Sequence, residues 1–119
     1  MRHEPAAQLL YRPVNQAELD LIAASGWLAF PPRLPKQPIF YPVLNEQYAA
    51  QIARDWNVPY YGVGYVLRFA LDADYAAQFP VQNVGGPEHE ELWVPAEELA
   101  EFNQNIIGQI EVVSVFKAE

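Results

Sequence analysis

The cleanest alternation of apolar and polar positions runs from Val63 to Leu71. Tyr65, Leu67, Phe69 and Leu71 fall on one face and Val66, Arg68 and Ala70 on the other, which is the two-residue period of a strand. Shorter apolar runs predict strands at Leu9–Arg12, stopped by Pro13, at Ile39–Tyr41, Val81–Val84 and Glu91–Val94, and at Ile110–Phe116. In the last of these, Val113 and Val115 make the second face apolar as well, which predicts burial on both sides. Between the strands the period changes to that of a helix. Asn15 stands as a cap with Glu18 three residues later, in the spacing of a capping box. Leu19, Leu21 and Ile22 form that helix's apolar side, and Gly26 ends it. Asn45 caps a second helix reaching about Trp56, with Tyr48, Ala49, Ile52, Ala53 and Trp56 as one buried stripe. Asp72 caps a short third helix that Pro80 stops after Phe79. Pro95 opens a fourth with Leu99, Phe102 and Ile106 on one side. Asn57–Gly62 and Gly85-Gly86-Pro87 read as turns. The segment Pro31–Pro38 is too rich in proline for a helix or a central strand, and serves either as a lid or as a packed connector.

This order of short strands and helices predicts an α+β fold: a single domain over residues 9–119, a mostly antiparallel sheet that can be split, and flanking short helices. Residues 1–8 read as a loose arm. A doubly wound parallel sheet is disfavoured because no Gly-rich strand-to-helix turn is present. The length of 119 residues suits one core, since two would each be too small.

Composition narrows the function classes. Hydrophobic residues make up 51% and charged residues 18%, which excludes a disordered or coiled-coil chain. Fifteen Asp and Glu against seven Lys and Arg give a net charge of −8, a surface that repels nucleic acid and anionic membranes. The absence of cysteine removes disulfides, zinc–thiolate sites, iron–sulfur clusters and thiol catalysis. No apolar run approaches the roughly 20 residues that cross a bilayer. Met1-Arg2-His3-Glu4-Pro5 has no signal-peptide core behind it, so the expected location is the cytoplasm.

Motifs for chemistry are few. Ser25 and Ser114 lack a nucleophile-elbow context. His3 and His89 lie far apart without the spacing of a metal site, and Glu88-His89-Glu90-Glu91 reads first as a solvated charged turn, so no metal is expected. No glycine loop for phosphates occurs. Two strand-borne residues remain. Arg12 can hold a phosphate with its planar fork of donors. Glu91 can accept hydrogen bonds from ribose hydroxyls or stabilise a cationic sugar transition state. A surface ion pair is the competing reading for each.

Leu10-Tyr11-Arg12, a helix, and Phe40-Tyr41-Pro42-Val43-Leu44-Asn45-Glu46 leading into an Ala-rich helix resemble the opening of the ADP-ribosyltransferase fold. His89-Glu90-Glu91-Leu92-Trp93-Val94-Pro95 resembles that superfamily's third motif. More narrowly, residues 9 to 117 resemble small bacterial proteins of the ADP-ribosylation/crystallin J1 family. The resemblance implies that Arg12 grips NAD near its nicotinamide-side phosphate and ribose. It implies that Tyr41, or Tyr48 one helical step on, stacks on nicotinamide, although Tyr48 also fits the apolar stripe of its helix. Glu91 would contact the nicotinamide ribose and favour loss of nicotinamide. His89, two positions earlier, would act as a general base toward the acceptor or lie in an exposed turn. The glycohydrolases to which the crystallin half of the family name points are large, helical and metal-dependent, and this chain lacks their aspartate-rich motifs.

The expected function is therefore an NAD-binding, ADP-ribosyltransferase-like protein, with NAD as substrate and an acceptor that can be a protein, a nucleic acid or a small molecule, the acidic surface disfavouring nucleic acid. The alternative is a non-catalytic module on the same fold, its aromatic residues Trp27, Tyr60, Tyr61 and Trp93 furnishing a ligand groove or a homodimer surface. A phosphate-handling relative of the tRNA 2′-phosphotransferases would instead need Arg12, Arg33, Arg54 and Arg68 to converge on one pocket. The first reading requires Arg12, an aromatic ring and Glu91 to line one pocket, whereas an interaction module would scatter them or bury Arg12 in an ion pair.

Overall fold

The computed structural model describes residues 6–118. Ala7 and Gln8, assigned to the arm of residues 1–8, belong to the first strand; residues 1–5, His3 among them, lie outside the described residues. β1 (Ala7–Val14) leads into α1 (Gln16–Ala24), and β2 (Ile39–Phe40) into α2 (Glu46–Ile52). A π-helical turn (Ala53–Asn57) continues α2 into α3 (Val58–Tyr61). Then come β3 (Val63–Asp72), α4 (Ala73–Ala76), β4 (Val81–Asn83), β5 (Glu90–Leu92) and β6 (Val94–Pro95). A 3₁₀ turn (Ala96–Glu98), α5 (Leu99–Gln104) and β7 (Ile106–Lys117) complete the chain. The architecture is α+β, and all pairings among the described strands are antiparallel. No helix of the described residues is long and apolar enough to cross a membrane.

Three strands in the order β1-β3-β7 form the main sheet, with two-stranded pairs β2-β6 and β4-β5 beside it. Side chains alternate across the main sheet. Leu10, Val14, Leu67, Phe69 and Leu71 point into the larger core with Ile22, Phe40 and Phe102. On the opposite face Val66 packs with Val43, Ala49 and Ala53 beneath α2 and the π turn. Val66 and Leu67 are both fully buried, because layers cover the sheet on both sides there.

The caps form as the sequence predicts. The side chains of Asn15, Asn45 and Asp72 each accept the backbone N–H three residues on. Several expectations need correction. Pro13 does not stop β1. Tyr11 exchanges both backbone hydrogen bonds with Val43 beyond the sheet, so Pro13, two residues on, turns its missing N–H to that same outer edge, where a ladder does not require it. Asn57–Tyr61 is helical rather than a turn. The π turn widens the helix directly before Pro59, whose ring would strike the carbonyl four residues back in a regular α-helix. That widening turns Trp56 out of the predicted stripe, to 61% exposure. Leu21 is likewise exposed. β7 starts at Ile106, which leaves the fourth helix, and it is not buried on both sides. It is the sheet's outer strand, two register irregularities against β3 bend it, and only Ile110 on it is buried.

The sheet is split beside β1. Among the described residues the short segment around Val43 joins the β4–β5 hairpin to the main sheet, Val43 bridging Tyr11 on one side and Glu91 on the other. Pro13 offers no N–H to extend that ladder, so the two sheet edges diverge past a single bridge and leave a cleft between them.

Candidate functional site

The cleft has a volume of about 930 Å³, and its walls include Arg12, Tyr41, Tyr48, Glu91 and Trp93. Its position follows from the split. Arg12 follows Tyr11 on β1, Glu91 lies on β5, and Val43 bridges the two strands. Two strand spacings thus separate their backbones, about 10 Å.

Glu91 is 8% exposed and has both carboxylate oxygens engaged. Trp93 Nε1–H donates to Oε1 at 2.7 Å and the Tyr48 hydroxyl donates to Oε2 at 3.4 Å. Burial, and next the Glu91 charge, raise the Tyr48 phenol above its ordinary pKa, which keeps it a proton donor. Tyr41 stands 41% exposed after β2 and meets Trp93 edge to face, with ring centroids 6.3 Å apart at 89°. Tyr48 is half-buried and lines the cleft while its helix packs on Val66. Two perpendicular aromatic walls and a buried carboxylate suit a flat organic cation.

Arg12 is also 8% exposed, and it is not free. Its Nε and Nη2 donate to Glu18 Oε2 and Oε1 at 2.6 and 2.8 Å, a bidentate pair. Its guanidinium lies over the Phe40 ring, 4.6 Å from the centroid. The capping box is therefore one-sided: Asn15 takes the Glu18 N–H, while the Glu18 carboxylate turns to Arg12 instead of returning to the cap.

His89 is not part of the cleft wall. It closes the β4–β5 turn, where its Nδ1 accepts the Gly86 N–H at 3.1 Å and its Nε2 faces Gln51 Oε1 at 3.3 Å. Its ring stacks on Tyr48 at 4.4 Å and 18°. With Nδ1 accepting, Nε2 carries the proton. Both nitrogens are then committed, and His89 braces Tyr48 from outside the cleft. His89, expected as a general base or an exposed turn residue, thus lies outside the residues that line the cleft.

The four arginines of the phosphotransferase reading do not converge. Arg54 pairs with Asp55 and Arg68 with Glu111, both at the surface and away from the cleft. Arg33 does line it, from the Pro31–Pro38 segment. Trp56, Tyr60 and Tyr61 form an exposed aromatic rim carried by the π turn and α3. Sequence reasoning names Arg33 only among dispersed cations and assigns Trp56 to the core. Tyr60 and Tyr61 are named by the sequence as groove aromatics, and the signal for the turned-out Trp56 is Pro59, which sits where a regular helix cannot continue. Among the described residues no three His, Asp or Glu side chains gather to hold a metal.

Comparison with family models, curated proteins and solved structures returns no match to this chain.

Proposed function

We propose that this protein binds NAD in the cleft and acts as an ADP-ribosyltransferase-like enzyme, moving ADP-ribose to an acceptor with release of nicotinamide. The observation that carries the reading is the gathering of Arg12, Tyr41, Tyr48 and Glu91 on one cleft. Tyr41 and Trp93 would receive the cationic ring. Glu91, held by Trp93 and Tyr48, would face the ribose carbon as positive charge develops there. In the reaction the glycosidic bond breaks with its electron pair going to the ring nitrogen, the ribose carbon bonds to the acceptor's nucleophilic atom, and the acceptor's proton leaves to solvent.

A second reading, ligand binding without chemistry, draws on a specific observation: the Arg12 fork is already filled by Glu18 in a mostly buried pair. Ligand-observed NMR with NAD, followed by a nicotinamide-release assay, separates the two. The expected result is NAD binding to the wild type, binding retained in Glu91→Gln, and release reduced about 100-fold in that variant. Binding without release by the wild type would select the second reading. No binding at millimolar NAD would end the transferase reading and leave the non-catalytic module.

A further inference from the structure

We infer that Arg33, rather than Arg12, is the residue that receives the anionic oxygens of a sugar phosphate in this cleft. The inference rests on the proposed function for the choice of ligand, and it names the phosphate-binding residue of the same site. Four observations carry it.

First, the Nε and Nη2 donors of Arg12, the pair best shaped for a planar anion, already hold Glu18. A phosphate would have to displace a mostly buried carboxylate to use them. Second, Arg33 lines the cleft, and its Nε is buried with no hydrogen-bond partner. A buried donor left unmade costs free energy that a ligand oxygen would return. Third, the two guanidinium groups crowd the same aromatic ring, Arg12 at 4.6 Å and Arg33 at 5.8 Å from the Phe40 centroid. Burial, and next the Arg12 charge, lower the Arg33 pKa, while Glu18 offsets only part of this. An anion placed at Arg33 relieves that repulsion. Fourth, Asn57 also lines the cleft, and its Oδ1 is buried without a partner. Two cleft-lining residues, one with a donor and one with an acceptor unpaired, suit a ligand that offers both anionic oxygen and hydroxyl hydrogen, as a ribose phosphate does.

The Pro31–Pro38 segment suits this role. Its prolines restrict the backbone before any ligand arrives, so less entropy is lost when Arg33 is fixed. The net charge of −8 makes an anion site elsewhere on the surface costly, which concentrates anion binding where two arginines meet.

The test is titration of ADP, inorganic pyrophosphate and nicotinamide into wild type, Arg33→Gln, Arg33→Lys and Asn57→Ala, followed by calorimetry and by ligand-observed NMR. Thermal melting confirms that each variant folds. Arg33→Gln is expected to weaken ADP and pyrophosphate about tenfold or more and to leave nicotinamide unchanged. Arg33→Lys should recover part of the loss. Asn57→Ala should weaken ADP and spare pyrophosphate, which carries no ribose hydroxyl. ADP affinity in Arg33→Gln within twofold of wild type overturns the inference, as does a folded wild type that binds neither ADP nor pyrophosphate at millimolar concentration. The outcomes separate from those for catalysis. ADP binding through Arg33 with intact NAD leaves the inference standing and removes the transferase reading. Nicotinamide release that persists in Arg33→Gln at unchanged NAD affinity does the reverse.

Discussion

Gly64 offers a sharp test of how the cleft wall is held. It lies on β3 against the π turn, in backbone that any residue can adopt. A Cβ added there would sit 2.6 Å from the Ala53 carbonyl oxygen and 2.8 Å from Asn57 Cβ. The first contact is about 0.8 Å short of the 3.4 Å where ordinary contact begins. The obstructing atom is backbone, so no side-chain rotation relieves it. Gly64→Ala must push the π turn off the sheet, and the usual cost of such overpacking is about 1–3 kcal/mol. Against this stands the gain of about 0.4–1 kcal/mol from restricting the unfolded chain. The balance is a loss of about 1–2 kcal/mol. At about 2 kcal/mol per molar urea, the unfolding midpoint falls by about 0.5–1 M. The second readout is Trp56, on the displaced turn, whose fluorescence should shift in the folded state. Gly62→Ala separates strain from crowding. Gly62 has φ +82 and nothing within 4 Å of its added Cβ, so it should lose about 1 kcal/mol from backbone strain and leave the Trp56 signal unchanged. A Gly64→Ala midpoint equal to or above wild type would refute the close helix–strand contact from which the cleft wall is argued.

Three further outcomes are expected. Asn103 clamps the start of the Pro-rich segment, its Oδ1 accepting the Phe30 N–H at 2.9 Å and its Nδ2 donating to the Phe30 carbonyl at 3.0 Å; Asn103→Ala should cost about 2 kcal/mol in urea unfolding and speed exchange of the Phe30 amide, and unchanged exchange would remove the clamp. Glu18→Leu should destabilise by about 2–3 kcal/mol by leaving Arg12 uncompensated, whereas the Arg12→Met, Glu18→Leu double variant should recover most of that loss; additive costs of Arg12→Met and Glu18→Leu in the double-mutant cycle would contradict a coupled pair. Burial, then the Glu98 and Glu101 charges, push the Tyr75 phenol up to about 12. Because the folded pKa exceeds the unfolded value near 10, this contribution to stability is complete below pH 10 and is lost as pH rises toward 12; ultraviolet titration of the phenolate in wild type and Tyr75→Phe checks it, and a Tyr75 step at pH 10 would refute it.

What the sequence revealed follows the range of the forces involved. Asn15, Asn45 and Asp72 reach a backbone N–H three residues away, so each cap is a local property and could be read directly. The two-residue period of Val63–Leu71 was equally legible, since it states a strand with one apolar face whatever packs on it. Pro13 was misread because the rule against proline in strands depends on which neighbour the N–H faces, and Val43, thirty residues on, decides that. The apolar composition of β7 promised burial, but composition does not say that a sheet ends there. Trp56 kept a helical spacing that the π turn broke, and the only local mark of that turn is a proline three residues later.

The candidate site divides along the same line. Arg12, Tyr41, Tyr48 and Glu91 could be singled out by residue type and resemblance, and all of them reach the cleft. Their partners could not be read, and the partners decide their chemistry. Glu18 has the spacing of a capping residue, yet a helix N-terminus offers it one backbone N–H, while Arg12 offers two charged donors in a fork; the stronger bond wins and changes Arg12 from a free phosphate grip into a structural ion pair. The same step transfers the unfilled donor to Arg33, in a segment whose prolines give no periodic signal. Pro13 joins the two halves of the account. Its missing N–H stops the ladder to Val43 after one bridge, which opens the split, and the split is what lets a carboxylate on β5 and two arginines line one cleft. A residue that sequence reading took as the end of a strand is thus what separates the sheet edges at the site.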